Sequence, residues 1–151
     1  MIALKKKDYD CAIENYNKSI ELKPDDAEAY KNRGDAYKNR GDAYDDKGNY
    51  DQAILDYNKA IELKPDYADA YNDRGNAYDG KGNNDRAIKD YNKAIELKPD
   101  DASAYVGRGV AYYNKGNYDQ AIADHRKSLE IDPNDKVAKD NLKKILKKRK
   151  K

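Results

Sequence analysis

The 151-residue chain has no tryptophan, no phenylalanine, one methionine and one cysteine. Each scarcity excludes something. With Cys11 alone no internal disulfide can form, so this is not a disulfide-stapled scaffold. A lone thiol without a tuned electropositive setting reads as a surface residue and not as a nucleophile. His125 is the single histidine, with no second His or Cys at ligand spacing, which rules out a zinc site. No apolar run approaches the ~18 residues of a membrane span. Met1 to Lys7 is too short and too rich in lysine for a signal peptide, so a soluble, intracellular (cytoplasmic) protein is expected. No glycine-rich phosphate loop and no other cofactor motif is present. The tripeptides Arg33-Gly34-Asp35 and Arg40-Gly41-Asp42 and the sequon Asn17-Lys18-Ser19 carry no extracellular role in a chain without an export signal.

What the chain does have is charge and tyrosine. Charged residues make up 40% of it, a composition that by itself would suit a disordered segment, and its aromatic content is 15 tyrosines. Periodicity overrides composition. Closely similar decapeptides end at Pro65, Pro99 and Pro133, each 34 residues after the last, the mark of a helical-hairpin array. Within 68–101, Ala70, Tyr71, Gly75 and Tyr78 recur at helical intervals, a break follows at Gly80 to Asn83, and Ala87, Ile88, Tyr91, Ile95 and Leu97 resume the pattern. The spacing predicts helix, tight turn, helix, with Lys98-Pro99-Asp100 stopping the second helix and capping the next. One hairpin cannot bury both its faces, so the units must stack.

Tyr71-x2-Arg74-Gly75-x2-Tyr78, then Ala87-x3-Tyr91, then Pro99 resembles the tetratricopeptide pattern W-x2-L-G-x2-Y…A-x3-F…P, and the resemblance spans essentially the whole chain. It implies an all-α fold, a right-handed superhelical solenoid of antiparallel helix pairs, and docking of partner proteins or peptides with no reaction chemistry and no cofactor. The units are 1–26, a truncated amino-terminal repeat; 27–67, a repeat with a seven-residue helix extension; 68–101; 102–135; and 136–151, a capping helix. In this family the first helices line a concave groove, whose positions map to Glu28, Lys31 and Asp35, to Asp69, Asn72, Asn76 and Asp79, and to Ser103, Val106, Val110, Tyr113 and Asn114. One end of that surface is acidic and polar; the other carries the apolar Val106, Val110 and Tyr113. The lysine and asparagine clamp with which some members grip chaperone tails is not reproduced, because Asp35, Asp73, Ser103 and Gly107 stand where cations or amides are wanted.

Three departures from strict repetition carry further expectations. Pro24 to Pro65 spans 41 residues because NRGDAYK at 32–38 is followed by NRGDAYD at 39–45. A heptad is two turns, about 10.5 Å, and rotates a helix face by only about 20°. One continuous helix over about 27–47 follows, with Gly41 to Tyr44 in the normal register and the extra turns at 32–38. Second, the chain opens mid-unit, so the face of helix 8–22 with Ile13, Tyr16 and Ile20 is expected to lack a cover and to favour self-association. Third, Arg33, Arg40, Arg74 and Arg108 replace the family's leucine, and Asp56, Asp90 and Asp124 lie on the second helices while the stump has Asn15. An arginine in a helix seam needs a carboxylate, which predicts an Arg–Asp pair in each hairpin, with Arg40 the partner of Asp56.

Residues 136–151 read as an amphipathic helix with the stripe Val137, Ala138, Leu142, Ile145 and Leu146. Nine lysines or arginines against Asp140 give this segment +8, which leaves −6 on 1–135 of a net +2. A solubilising cap is the expected role. The functional expectation is a non-enzymatic scaffold that binds a basic peptide or partner segment along the groove. The alternatives are a self-associating structural unit, as a natural fragment or engineered array would be, and a nucleic-acid contact through the basic tail.

Overall fold

The computed structural model describes residues 2–44 and 46–149, which form eight helices and no strand. They are α1 (Ile2–Leu22), α2 (Ala27–Tyr44), α3 (Lys47–Leu63), α4 (Ala68–Gly80), α5 (Asn84–Leu97), α6 (Ala102–Asn114), α7 (Tyr118–Ile131) and α8 (Lys136–Arg149). Of the segments expected to be helical, Met1, Asp45, Lys150 and Lys151 lie outside the described residues. Helix starts follow the acidic residues after each proline: Asp26 accepts from the Glu28 and Ala29 amides at 3.0 and 3.2 Å, and Asp135 from the Ala138 amide at 3.0 Å. Each helix packs on its neighbours in sequence, and α2, α4, α6 and α8 also touch one another in turn, whereas α1, α3, α5 and α7 do not. The even-numbered helices therefore form the inner, more closely spaced wall. Alanine makes the seams narrow: Ala53, Ala60, Ala70, Ala77, Ala87 and Ala94 are fully buried, and the Tyr57 and Tyr91 rings fill what remains. Gly34 and Gly75 sit under those rings so closely that an added Cβ would lie 2.8 Å from the ring carbon.

An arginine fastens each hairpin to itself and to the one before. Arg74 donates through Nε and Nη2 to both Asp90 oxygens at 2.7 Å and through Nη1 to Asn58 of the preceding hairpin at 2.7 Å. Arg108 does the same with Asp124 and Asn92, and Arg33 with Asp56 and Asn17. The guanidinium groups lie over Tyr30, Tyr71 and Tyr105 as well. The Arg–Asp pairing expected in each hairpin is present, with one correction: Asp56 is held by Arg33, while Arg40 donates to Asp10 at 2.5 Å and to Asn49 at 2.7 Å.

That correction shows where the seven extra residues went. The first copy of the heptad keeps the standard register, Gly34 beneath Tyr57 as Gly75 lies beneath Tyr91, so the second copy, and not 32–38, is the overrun. Residues 34–41 are helical throughout, as the heptad argument requires. The helix nevertheless ends at Tyr44, short of the expected Lys47, because α3 grows to meet it: α2 has 18 residues against 13 in α4 and α6, and α3 has 17 against 14 in α5 and α7. Lys47-Gly48-Asn49 is thus helical, behind an Asp46 cap that accepts from the Gly48 amide at 3.0 Å. The same tripeptide at 81–83 and 115–117 makes the turn, with Gly82 and Gly116 at φ of 78° and 80°.

At the amino end, residues 2–7 continue α1 and do not fold back as a separate remnant. Nor is the apolar side of α1 bare: Ile13 is 7% exposed, and Tyr16 and Ile20 are half-buried, since this side faces α2. The side that would meet a preceding inner helix corresponds to Ala53, Asp56 and Ala60 of α3, and carries Ala12, Asn15 and Ser19.

Candidate functional site

The inner wall gathers the expected groove residues from three helices, and polar contacts bridge neighbouring ribs. Lys31 of α2 reaches Asp35 at 2.7 Å and Asp73 of α4 at 3.2 Å. Asn72 Nδ2 donates to Ser103 Oγ of α6 at 3.4 Å, and Asn114 Nδ2 of α6 donates to Asp79 of α4 at 3.5 Å. Ser103 also caps its own helix, its Oγ donating to Asp101 at 2.7 Å. Two buried tyrosines of the outer layer push their hydroxyls through to this wall, Tyr57 donating to Asp35 at 2.7 Å and Tyr91 to Asn76 at 2.8 Å. Glu28 and Asp69 are not drawn into these contacts, and neither has an ion-pair partner among the described residues.

Burial sets the protonation of this cluster. Asp73 is pushed up to about 6, first by loss of water and then by the neighbouring Asp35 charge, against the pull of Lys31. Lys31 loses water too, but its hydrogen bond to Asp35 and the charges of both carboxylates win, and it is held protonated above the usual lysine value. Desolvation likewise raises Asp79 above the usual carboxylate range. Around Lys31 the two carboxylates outnumber the one cation.

The other end of the wall is of different chemistry. Val106, Val110 and Tyr113 are half-buried, and Val110, Tyr113 and Asn114 share a cavity of about 110 Å³ with Asn141, Lys144 and Ile145 of α8. Lys144 and Lys148 stand 5.3 and 5.1 Å from the Tyr113 ring centre. Sequence reasoning assigned α8 to capping and missed this contribution. The signal was available: α8 begins at Lys136, 34 residues after Ala102, so it falls in the frame of an inner helix.

A profile described as the TPR repeat matches residues 2–40, 41–82 and 80–116, and one described as the tetratricopeptide repeat matches 102–135. The chain is a tetratricopeptide-repeat protein. Comparison with curated proteins gives no match. Among solved structures this tetratricopeptide-repeat chain is similar to a thermophilic TPR protein of Thermus thermophilus, at 26% identity over 95% of this chain and 75% of that one, with a TM-score of 0.82. It is also similar to the first TPR of Spaghetti (RPAP3) bound to the HSP90 peptide SRMEEVD, at 28% identity over 80% and 96% of the two chains with a TM-score of 0.67. The second TPR domain of human RPAP3, in complex with the HSP70 peptide SGPTIEEVD, is 30% identical over 72% and 91% with a TM-score of 0.63.

Among the described residues of this tetratricopeptide-repeat protein there is no group of His, Cys, Asp and Glu side chains able to hold a metal ion, and no helix long and apolar enough to cross a membrane. Cys11 is exposed, as its place in the repeat suggested. His125 is fully buried in the slot of Tyr57 and Tyr91, a packing residue whose ring burial keeps neutral. Lys31, the one cation at a family clamp position, is committed to Asp35 and Asp73.

Proposed function

We propose that the protein is a non-enzymatic interaction scaffold whose inner wall takes a peptide or partner segment, and that the segment is basic where it crosses α2 and α4. The observation that carries this is the charge of the wall: Glu28 and Asp69 stand without ion-pair partners at its edge, and Lys31 is spent on Asp35 and Asp73. Water-poor carboxylates in a concavity attract and orient a cationic ligand. The RPAP3 domains, which share the fold and hold short peptides, support a peptide as the ligand class. Tails ending in several carboxylates do not suit this stretch, because its Lys31 is already paired twice. Titration of a fluorescein-labelled, lysine-rich peptide followed by anisotropy tests the reading. Asp69→Lys with Asp79→Lys should weaken binding by about tenfold, as two lost or reversed pairs of up to about 1 kcal/mol each imply, and raised salt should weaken the parent in the same direction. Equal affinity of parent and variant would sink it.

A further inference from the structure

The third hairpin differs from the first two in a way that alters the groove. In the first two, a tyrosyl hydroxyl reaches the inner wall and is met by an acceptor, Asp35 or Asn76. In the third, the tyrosine is His125 and the acceptor position, 34 residues after Asn76, is Val110. Donor and acceptor have gone together. His125 stays fully buried, neither ring nitrogen has a hydrogen-bond partner among the described residues, and it does not extend to the wall as a phenol would. The cavity of about 110 Å³ opens over Val110, between α6 and α8, with Ile145 at its base. A cavity of about 150 Å³ holds benzene, so this one has room for a branched aliphatic side chain. Its rim is cationic: Lys144 lines it, Lys148 shares the Tyr113 ring, and neither has a carboxylate partner among the described residues.

Resting on the groove reading above, we propose that the α6–α8 end of the wall is a separate subsite that takes an aliphatic side chain next to a carboxylate. The bound segment is then bipolar, with lysine or arginine over α2 and α4, an aliphatic residue over Val110, and aspartate, glutamate or a chain terminus against Lys144 and Lys148. Two charges of opposite sign at the ends of one groove fix the register of such a segment, and the apolar pocket between them supplies affinity.

The probe is a labelled peptide with a lysine block, a leucine and a glutamate block, compared with versions in which the leucine is alanine or the glutamates are glutamine. The parent protein should prefer the leucine peptide at least tenfold over the alanine one and the glutamate peptide about fivefold over the glutamine one. Lys144→Glu with Lys148→Glu should erase the glutamate preference and leave the glutamine peptide bound as before. Val110→Asn with His125→Tyr gives the third hairpin the chemistry of the second, so it should fold, which a thermal melt verifies, and should bind leucine and alanine peptides alike. If the parent binds all three peptides equally, yet Asp69→Lys with Asp79→Lys weakens them all, the subsite is wrong and the groove stands. If those aspartate changes weaken none of them, the groove reading fails and the subsite with it.

Discussion

Arg74 and Asp73 are neighbours in sequence and opposites in energetics. Arg74 is paired in full: its side chain is 19% exposed, that of Asp90 is 9%, and both Asp90 oxygens are engaged. Removing either partner strands a charge at a cost of about 3 kcal/mol, whereas replacing both with leucine should land within about 1 kcal/mol of the parent. A urea-melt cycle of Arg74→Leu, Asp90→Leu and the double variant measures this, and simple additivity would count against the pairing. Asp73 is held against its preference. Its folded pKa of about 6 exceeds the ordinary 3.8, so the folded state binds the proton more tightly than the unfolded chain. Its contribution to stability is therefore complete below 3.8 and is lost as pH rises through about 6. Asp73→Asn should accordingly gain stability relative to the parent as pH is raised across that window, in melts at successive pH values; a difference that stays flat would show that Asp73 titrates normally.

At the scale of the helix, the instructive comparison is one tripeptide in two conformations. Lys47-Gly48-Asn49 lies in α3 while Lys81-Gly82-Asn83 and Lys115-Gly116-Asn117 form turns. Gly82→Ala should cost about 1 to 2 kcal/mol, since φ is positive there. Gly48→Ala should instead be neutral to stabilising, by up to about 1 kcal/mol, because only the Asp46 carboxylate, 3.2 Å from the new methyl, has to yield. Deleting 39–45 restores the spacing of the other units. In that background Gly48 should return to the turn and Gly48→Ala should become destabilising, a reversal of sign readable from melts of the parent, the deletion and their two alanine variants. The same element marks how far the sequence could be read. The 34-residue period and the heptad located every helix from α2 to α8 and kept 34–41 helical, because both rest on which side chains can be buried. They could not divide the insertion between α2 and α3, since NRGDAY is identical in both copies and only the packing of Tyr57 on Gly34, a contact distant in sequence, selects one. The groove was legible in the same measure: positions on α4 and α6 follow from the period, whereas the share of α8 was hidden behind its lysines.

For the whole molecule, the repeat makes the interior uniform and leaves individuality to the ends. The apolar side of α1 is occupied by α2, with Ile13 buried, so self-association through that side has lost the exposed isoleucine on which the expectation rested. The arginine contacts have a mechanical meaning as well. Each joins three helices by side chains that resist sliding along the helix axes, in the manner of a key set across a joint. The seams of α1 with α2, α3 with α4 and α5 with α6 each carry one, through Asn17, Asn58 and Asn92. At the last seam the corresponding residues are Arg126 and Leu142, and no such key can form. Shear along the stack should therefore be borne unequally, and α8 should slip first. Amide hydrogen exchange should be faster in the middle of α8 than in the middle of α5, and pulling on the two chain ends should release the carboxyl-terminal helix ahead of the cooperative rupture of the rest.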